Sequence, residues 1–103
     1  MQLKELLFGV SIESVFGITS VSIDHVTADS RQVEPNALFV AIRGELHDGH
    51  SHIGDAVKKG AIAILCEELP KNQVEGITYV QTLQSRSAYA VIASNYHLSL
   101  IHI

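Results

Sequence analysis

The chain has 103 residues, 47% of them hydrophobic, with a formal net charge of -4 and a single cysteine. That length holds one small domain, and the apolar share supplies a core and excludes wholesale disorder. The acidic balance argues against a general nucleic-acid binder, which needs a basic stripe, and one thiol, Cys66, excludes an internal disulfide framework and suits a reducing compartment.

Leu3, Leu6, Leu7 and Val10 recur at helical spacing, predicting a short amphipathic helix that ends near Gly9. Lys4, Glu5 and Glu13 interrupt the apolar start, so the basic and continuous apolar regions of a signal peptide are missing. No apolar run reaches membrane-spanning length, and the expected location is cytoplasmic with no membrane partner. Ile12 to Phe16 and Val21 to Val26 alternate apolar with polar residues and read as strands, separated by a turn near Gly17. Asp29-Ser30-Arg31 is a polar turn at a strand end. Pro35-Asn36 is a second turn, in which Asn tolerates positive φ.

Leu38 to Ile42 is an unbroken apolar run, which predicts a strand buried on both faces. Gly44 and Asp48-Gly49 bracket a loop. Ser51 is a plausible N-cap for the next helix, whose buried stripe is Ile53, Ala56 and Val57 and whose stop is Gly60. Ala61 to Cys66 is a second buried strand, so strand, helix and strand imply a parallel pair joined by a crossover. A polar connector containing Pro70 leads to a short strand at Ile77 to Val80. A helix over Ser85 to His97 follows, with Ala88, Val91, Ile92 and Tyr96 on one face. The expected fold is α/β: a small mixed β-sheet flanked by helices, with 38–42 and 61–66 as interior strands.

The stretch from Thr27 to Ala61, TADSRQVEPNALFVAIRGELHDGHSHIGDAVKKGA, carries the identity of the chain. It resembles the amino-terminal domain of the Mur ligases, and most of all the MurE type, the UDP-N-acetylmuramoyl-dipeptide ligases. The pattern there runs roughly D-S-R-x-V-x-P-G-x-L-F-V-A-x-x-G-x-x-x-D-G-H, followed by a helix ending in G-A. Asn36 stands where the family usually has Gly, and Asn is the cheapest replacement in the left-handed region. The resemblance extends more weakly over 1–97 and implies a UDP-substrate-binding domain there.

Resemblance to MurE implies that Ala28 and Ser30 contact the UDP end of UDP-N-acetylmuramoyl-dipeptide. It also implies that the loop at Glu45, Leu46 and His47 wraps the uridine. Backbone N–H and C=O groups in such a loop can read the uracil edge, and a few convergent polar groups suit a small-ligand site. The plainer reading of Asp29-Ser30-Arg31 is a turn locked by side-chain-to-backbone bonds from Asp29 and Ser30; that of Glu45 to His47 is a solvated connection. His47, His50 and His52 form an H-x-x-H-x-H cluster, but the spacing matches no standard zinc pattern. No metal is expected; His50 is assigned to the turn and His52 to the helix start. Cys66 lies in an apolar run and reads as core.

No Gly-rich phosphate loop occurs in the chain, and no catalytic residue is assigned. The resemblance implies an ATP- and Mg2+-dependent ligase as the full-length enzyme, with central and carboxy-terminal domains that this sequence lacks. ATP would phosphorylate the substrate carboxylate, and an incoming amine, of meso-diaminopimelate or lysine, would attack the acyl phosphate. Metal ions would neutralise the phosphoryl oxygens. The fragment alone is expected to be inactive. Leu98 to Ile103 matches a translated sequencing-library adapter and is expected to be a non-native tail; a native Leu-rich continuation is the alternative. A MurF-type D-alanyl-D-alanine-adding ligase and a free-standing nucleotide-sugar-binding module are the rival readings.

Overall fold

The computed structural model describes residues 1–44 and 48–99, the last two by backbone alone. Five strands form one sheet: β1 (Ile12–Phe16), β2 (His25–Thr27), β3 (Ala37–Val40), β4 (Ala61–Cys66) and β5 (Thr78–Thr82), in the order β1-β5-β4-β3-β2. Strands β2 to β5 run parallel, and β1 is an antiparallel edge on β5. Helices α1 (Leu3–Leu6), α2 (Ile53–Lys58) and α3 (Ser85–Ser99) complete the α/β domain, with short 3₁₀ turns at Ser30–Gln32 and Gly49–His52.

The unbroken apolar runs are explained by two cores, one on each face of the sheet. Leu38 and Val40 point towards α1 and α3 with Leu65, Val80 and Ile92; Ala37, Phe39 and Ala41 point the other way, towards α2 with Ile64 and Tyr79. Alternating side chains therefore all meet protein, and every residue of β3 is buried. In β4 the alternation slips once. Ala61 pairs with Ala37 but Ala63 pairs with Leu38, so Ile62 is an extra residue that rephases the strand.

Helix α1 has only four residues, too few to hold itself together. It persists because Leu3 and Leu6 are fully buried and because Asn95 of α3 donates to the carbonyls of Leu6 (2.9 Å) and Phe8 (2.8 Å). Those two bonds satisfy carbonyls that the short helix leaves open. Tyr96 adds a bond to the Asp24 carbonyl at 3.2 Å.

Three expectations need correction. The strand expected over Val21 to Val26 is only His25–Thr27; Ser22 instead makes an isolated bridge to Gln2, because the Val21 carbonyl and the Ile23 N–H bond to the backbone of Leu3 and Met1. Strand β3 stops at Val40, although the Ala41 N–H still donates to the Leu65 carbonyl at 2.8 Å. Ser51 is not the N-cap: Asp48 caps the 3₁₀ turn, α2 begins at Ile53, and the Ser51 hydroxyl donates back to the Asp48 carbonyl at 2.8 Å. Asn36 does adopt the left-handed conformation, with φ 65°, and Gly60 (φ 113°) ends α2 where a Cβ would meet the Pro35 backbone at 2.8 Å. Of the tail, α3 runs through Ser99; the remainder lies outside the described residues.

Candidate functional site

Strands β2 and β3 are parallel neighbours, so the turns that follow them leave the sheet at the same edge. Between those turns lies a cleft of about 540 Å³, within the usual size range of small-molecule sites. Ala28, Asp29, Ser30 and Arg31 form one wall, Gly49 and His52 the other, and Phe39 and Ile42 the apolar floor. The carboxyl ends of parallel strands are where open α/β sheets bind ligands.

Short local bonds set the first wall. Thr27 is buried, and its hydroxyl accepts from the Asp29 N–H at 3.0 Å. The Asp29 carboxylate accepts from the Arg31 N–H (2.9 Å) and from the Arg31 guanidinium through Nε (3.1 Å) and Nη2 (3.0 Å). The Arg31 side-chain bond, then its backbone N–H, hold the Asp29 carboxyl below the usual carboxylate range. Lys59, at the end of α2, donates to the Ser30 carbonyl at 3.0 Å. The Ser30 hydroxyl makes no hydrogen bond among the described residues. Asp29 therefore does the locking that was expected of both residues, and Ser30 keeps a half-buried hydroxyl at the cleft with its donor and acceptor capacity unused.

The second wall starts from Gly49. Its N–H donates to the Ile42 carbonyl at 2.8 Å, and a Cβ there would sit 2.7 Å from the Ile42 nitrogen and 3.1 Å from the Ala41 Cα. Only glycine lets the returning loop lie this close to β3. The Asp48 carboxylate accepts from the His50 N–H at 2.9 Å and contacts His50 Nδ1 at 2.7 Å. The backbone N–H bond is the main reason that the Asp48 carboxyl also lies below its ordinary range. His50 Nε2 accepts from the backbone N–H of Glu67 at 2.9 Å.

Ala28 and Ser30 thus lie together at the cleft. Glu45, Leu46 and His47 lie outside the described residues; the flanking Arg43 and Asp48 pair in an isolated antiparallel bridge. Both His50 nitrogens are engaged within the fold, and His52 Nδ1 lies 3.8 Å from an Asp55 carboxylate oxygen. Burial pushes the Cys66 thiol up to about 11, so it stays protonated at neutral pH and belongs to the core. The turn expected to contain His50 is there, but its reach to β4 was not anticipated: a histidine two residues after a capping Asp gives no sequence signal for a partner 17 residues away.

Comparison with known proteins bears on this geometry. Residues 22–97 match the family model described as "Mur ligase family, catalytic domain". The chain belongs to the Mur ligase family. It is 44% identical over 98 residues, 94% of its length, to a UDP-N-acetylmuramoyl-L-alanyl-D-glutamate--2,6-diaminopimelate ligase of Cytophaga hutchinsonii. It is likewise 44% identical over 97 residues to the ligase of that name from Bacteroides fragilis. In both cases the chain spans 20% of the relative's length. Among solved structures, MurF from Acinetobacter baumannii superposes with a TM-score of 0.79 over 95% of this chain and 21% of its own, at 19% identity. That likeness establishes the shared small α/β architecture. Among the described residues no helix is long and apolar enough to cross a membrane.

Proposed function

We propose that this Mur ligase domain holds the UDP end of UDP-N-acetylmuramoyl-L-alanyl-D-glutamate in the cleft between the two turns. The observation that carries the reading is the convergence of Ala28 and Ser30 with the Gly49–His52 wall at the carboxyl ends of β2 and β3. Ser30 offers an uncommitted hydroxyl to a ligand oxygen, and Ile42 offers an apolar surface to a flat ring. Glu45, Leu46 and His47, which lie outside the described residues, are assigned from the family resemblance to the uracil edge, read through their backbone groups.

The whole enzyme is, on this reading, a cytoplasmic ATP-dependent ligase of peptidoglycan synthesis that adds a third amino acid to the dipeptide. The sequence relatives favour meso-diaminopimelate over lysine as that amino acid, since they are diaminopimelate ligases by name. The residues present do not fit an ATP or Mg2+ site. The chain has no Gly-rich phosphate loop, and among the described residues no group of three or more His, Cys, Asp or Glu could hold a metal. The phosphoryl chemistry is therefore assigned to the part of a full-length ligase that this chain does not span, and 1–97 to substrate binding alone.

Calorimetric titration with UDP tests the assignment. Binding should be weak, because contacts to the sugar and peptide are absent. Ser30→Ala should weaken it by about 0.5–1.5 kcal/mol, the worth of one neutral hydrogen bond. Equal affinity in the mutant would remove Ser30 from the site.

A further inference from the structure

His50 stands out among the polar residues near the cleft because its ring, 10% exposed, is bonded at both nitrogens to different parts of the fold. Nε2 faces two backbone N–H donors, Glu67 at 2.9 Å and Glu68 at 3.3 Å, and so must accept. Nδ1 then carries the ring proton and donates to the Asp48 carboxylate at 2.7 Å. Carboxylate, imidazole and amide form one directed chain in which each bond fixes the tautomer required by the next. Its far end is the carboxyl terminus of β4, one strand beyond the strand that carries the loop.

We propose that His50 is a positioning residue for the nucleotide site: it clamps the β3–α2 loop to the end of β4 and so holds the second wall of the cleft in register with the first. This rests on the reading of the cleft as the UDP site. Gly49 presses the returning limb of the loop against β3, and His50 prevents it from swinging away from β4. Arg43 spans the same gap at the surface, between Asp48 and Glu68, but it is half exposed and its pairs are screened. Glu67 passes the constraint on, since its carboxylate accepts from the N–H of Ser85 at 2.8 Å and caps α3.

The test separates the two ring nitrogens. Gln at position 50 places a carbonyl oxygen near the position of Nε2 and keeps an acceptor for the Glu67 N–H. Asn places an amide near Nδ1, which keeps the local bond to Asp48 but cannot reach β4. In H50Q the Glu67 and Glu68 amides should stay protected from hydrogen exchange, and UDP affinity should stay close to wild type. In H50N that protection should be lost, the Ile42, Gly49 and His52 amide shifts should move, and UDP affinity should fall about tenfold, the worth of one strong buried contact. Full protection and unshifted wall amides in H50N, or equal UDP affinity in H50N and wild type, would overturn the proposal. So would an equal loss of affinity in H50Q and H50N. If wild type itself does not bind UDP, the nucleotide reading fails, and the clamp is then upheld or overturned by the exchange and shift comparison alone.

Discussion

The two walls of the cleft are versions of one turn. Asp29 (φ -108°, ψ 113°) and Asp48 (φ -109°, ψ 113°) share a backbone conformation, and each accepts from the N–H two residues on and from the side chain of that same residue. What differs is the residue between and the reach of the residue after. In the first turn the middle residue is Ser30, with a free hydroxyl among the described residues, and Arg31 is 85% exposed and bonds only locally. In the second the middle residue is Gly49, wedged against Ile42, and His50 reaches across to β4. One cap thus leaves a polar group open to the cleft, while the other uses its polar group to hold the protein together.

Exchanging the middle residues should expose that difference most strongly. Gly49→Ala forces a Cβ onto backbone atoms that cannot step aside, and should cost about 1–3 kcal/mol in denaturant unfolding, as overpacking does. Ser30→Ala should change stability by no more than about 0.5 kcal/mol; a loss as large as that of Gly49→Ala would show that the first turn is structural as well. Next in size, Asp48→Ala should cost on the order of 1 kcal/mol, the usual worth of a cap, and more than Asp29→Ala, because it also removes the acceptor for His50.

Both carboxyls have folded-state pKa values below the ordinary 3.8. Their stabilising effect is therefore complete above the unfolded value and is lost as pH falls through the folded one. Asp48→Asn should accordingly lower stability at neutral pH and flatten the acid limb of a stability–pH profile, so that variant and wild type converge below about pH 4. The smallest expected effect is at the carboxyl end. Asn95 and Tyr96 supply the last described side-chain bonds of α3, so deleting 98–103 should shift stability by about 0.5 kcal/mol or less, as surface changes do.

The sequence was most legible where a local rule decides. The run from Leu38, the run from Ala61, the left-handed turn at Asn36 and the stop at Gly60 each carry their own signal, and each appears in the fold. Legibility failed where a distant element decides. Val21 to Asp24 alternate like a strand, yet Val21 and Ile23 commit backbone bonds to Leu3 and Met1 at the start of the chain. Ser51 has the chemistry of an N-cap, but Asp48, already positioned by the Gly49 contact with β3, captures the turn first. At the site, Asp-Ser-Arg and Asp-Gly-His are both readable as turns. Their near-identity and their different partners depend on strand order, which no spacing within the segment reveals.

If the two turns enclose one nucleotide site, a titration of backbone amide shifts with UDP reads both at once. Amides of 28–31 and of 42–52 should move together along one saturation curve, while those of α3 beyond Ala88 stay still. Shifts confined to the apolar hollow of about 310 Å³ between Gly9–Ser11 and α3, with both turns silent, would contradict it.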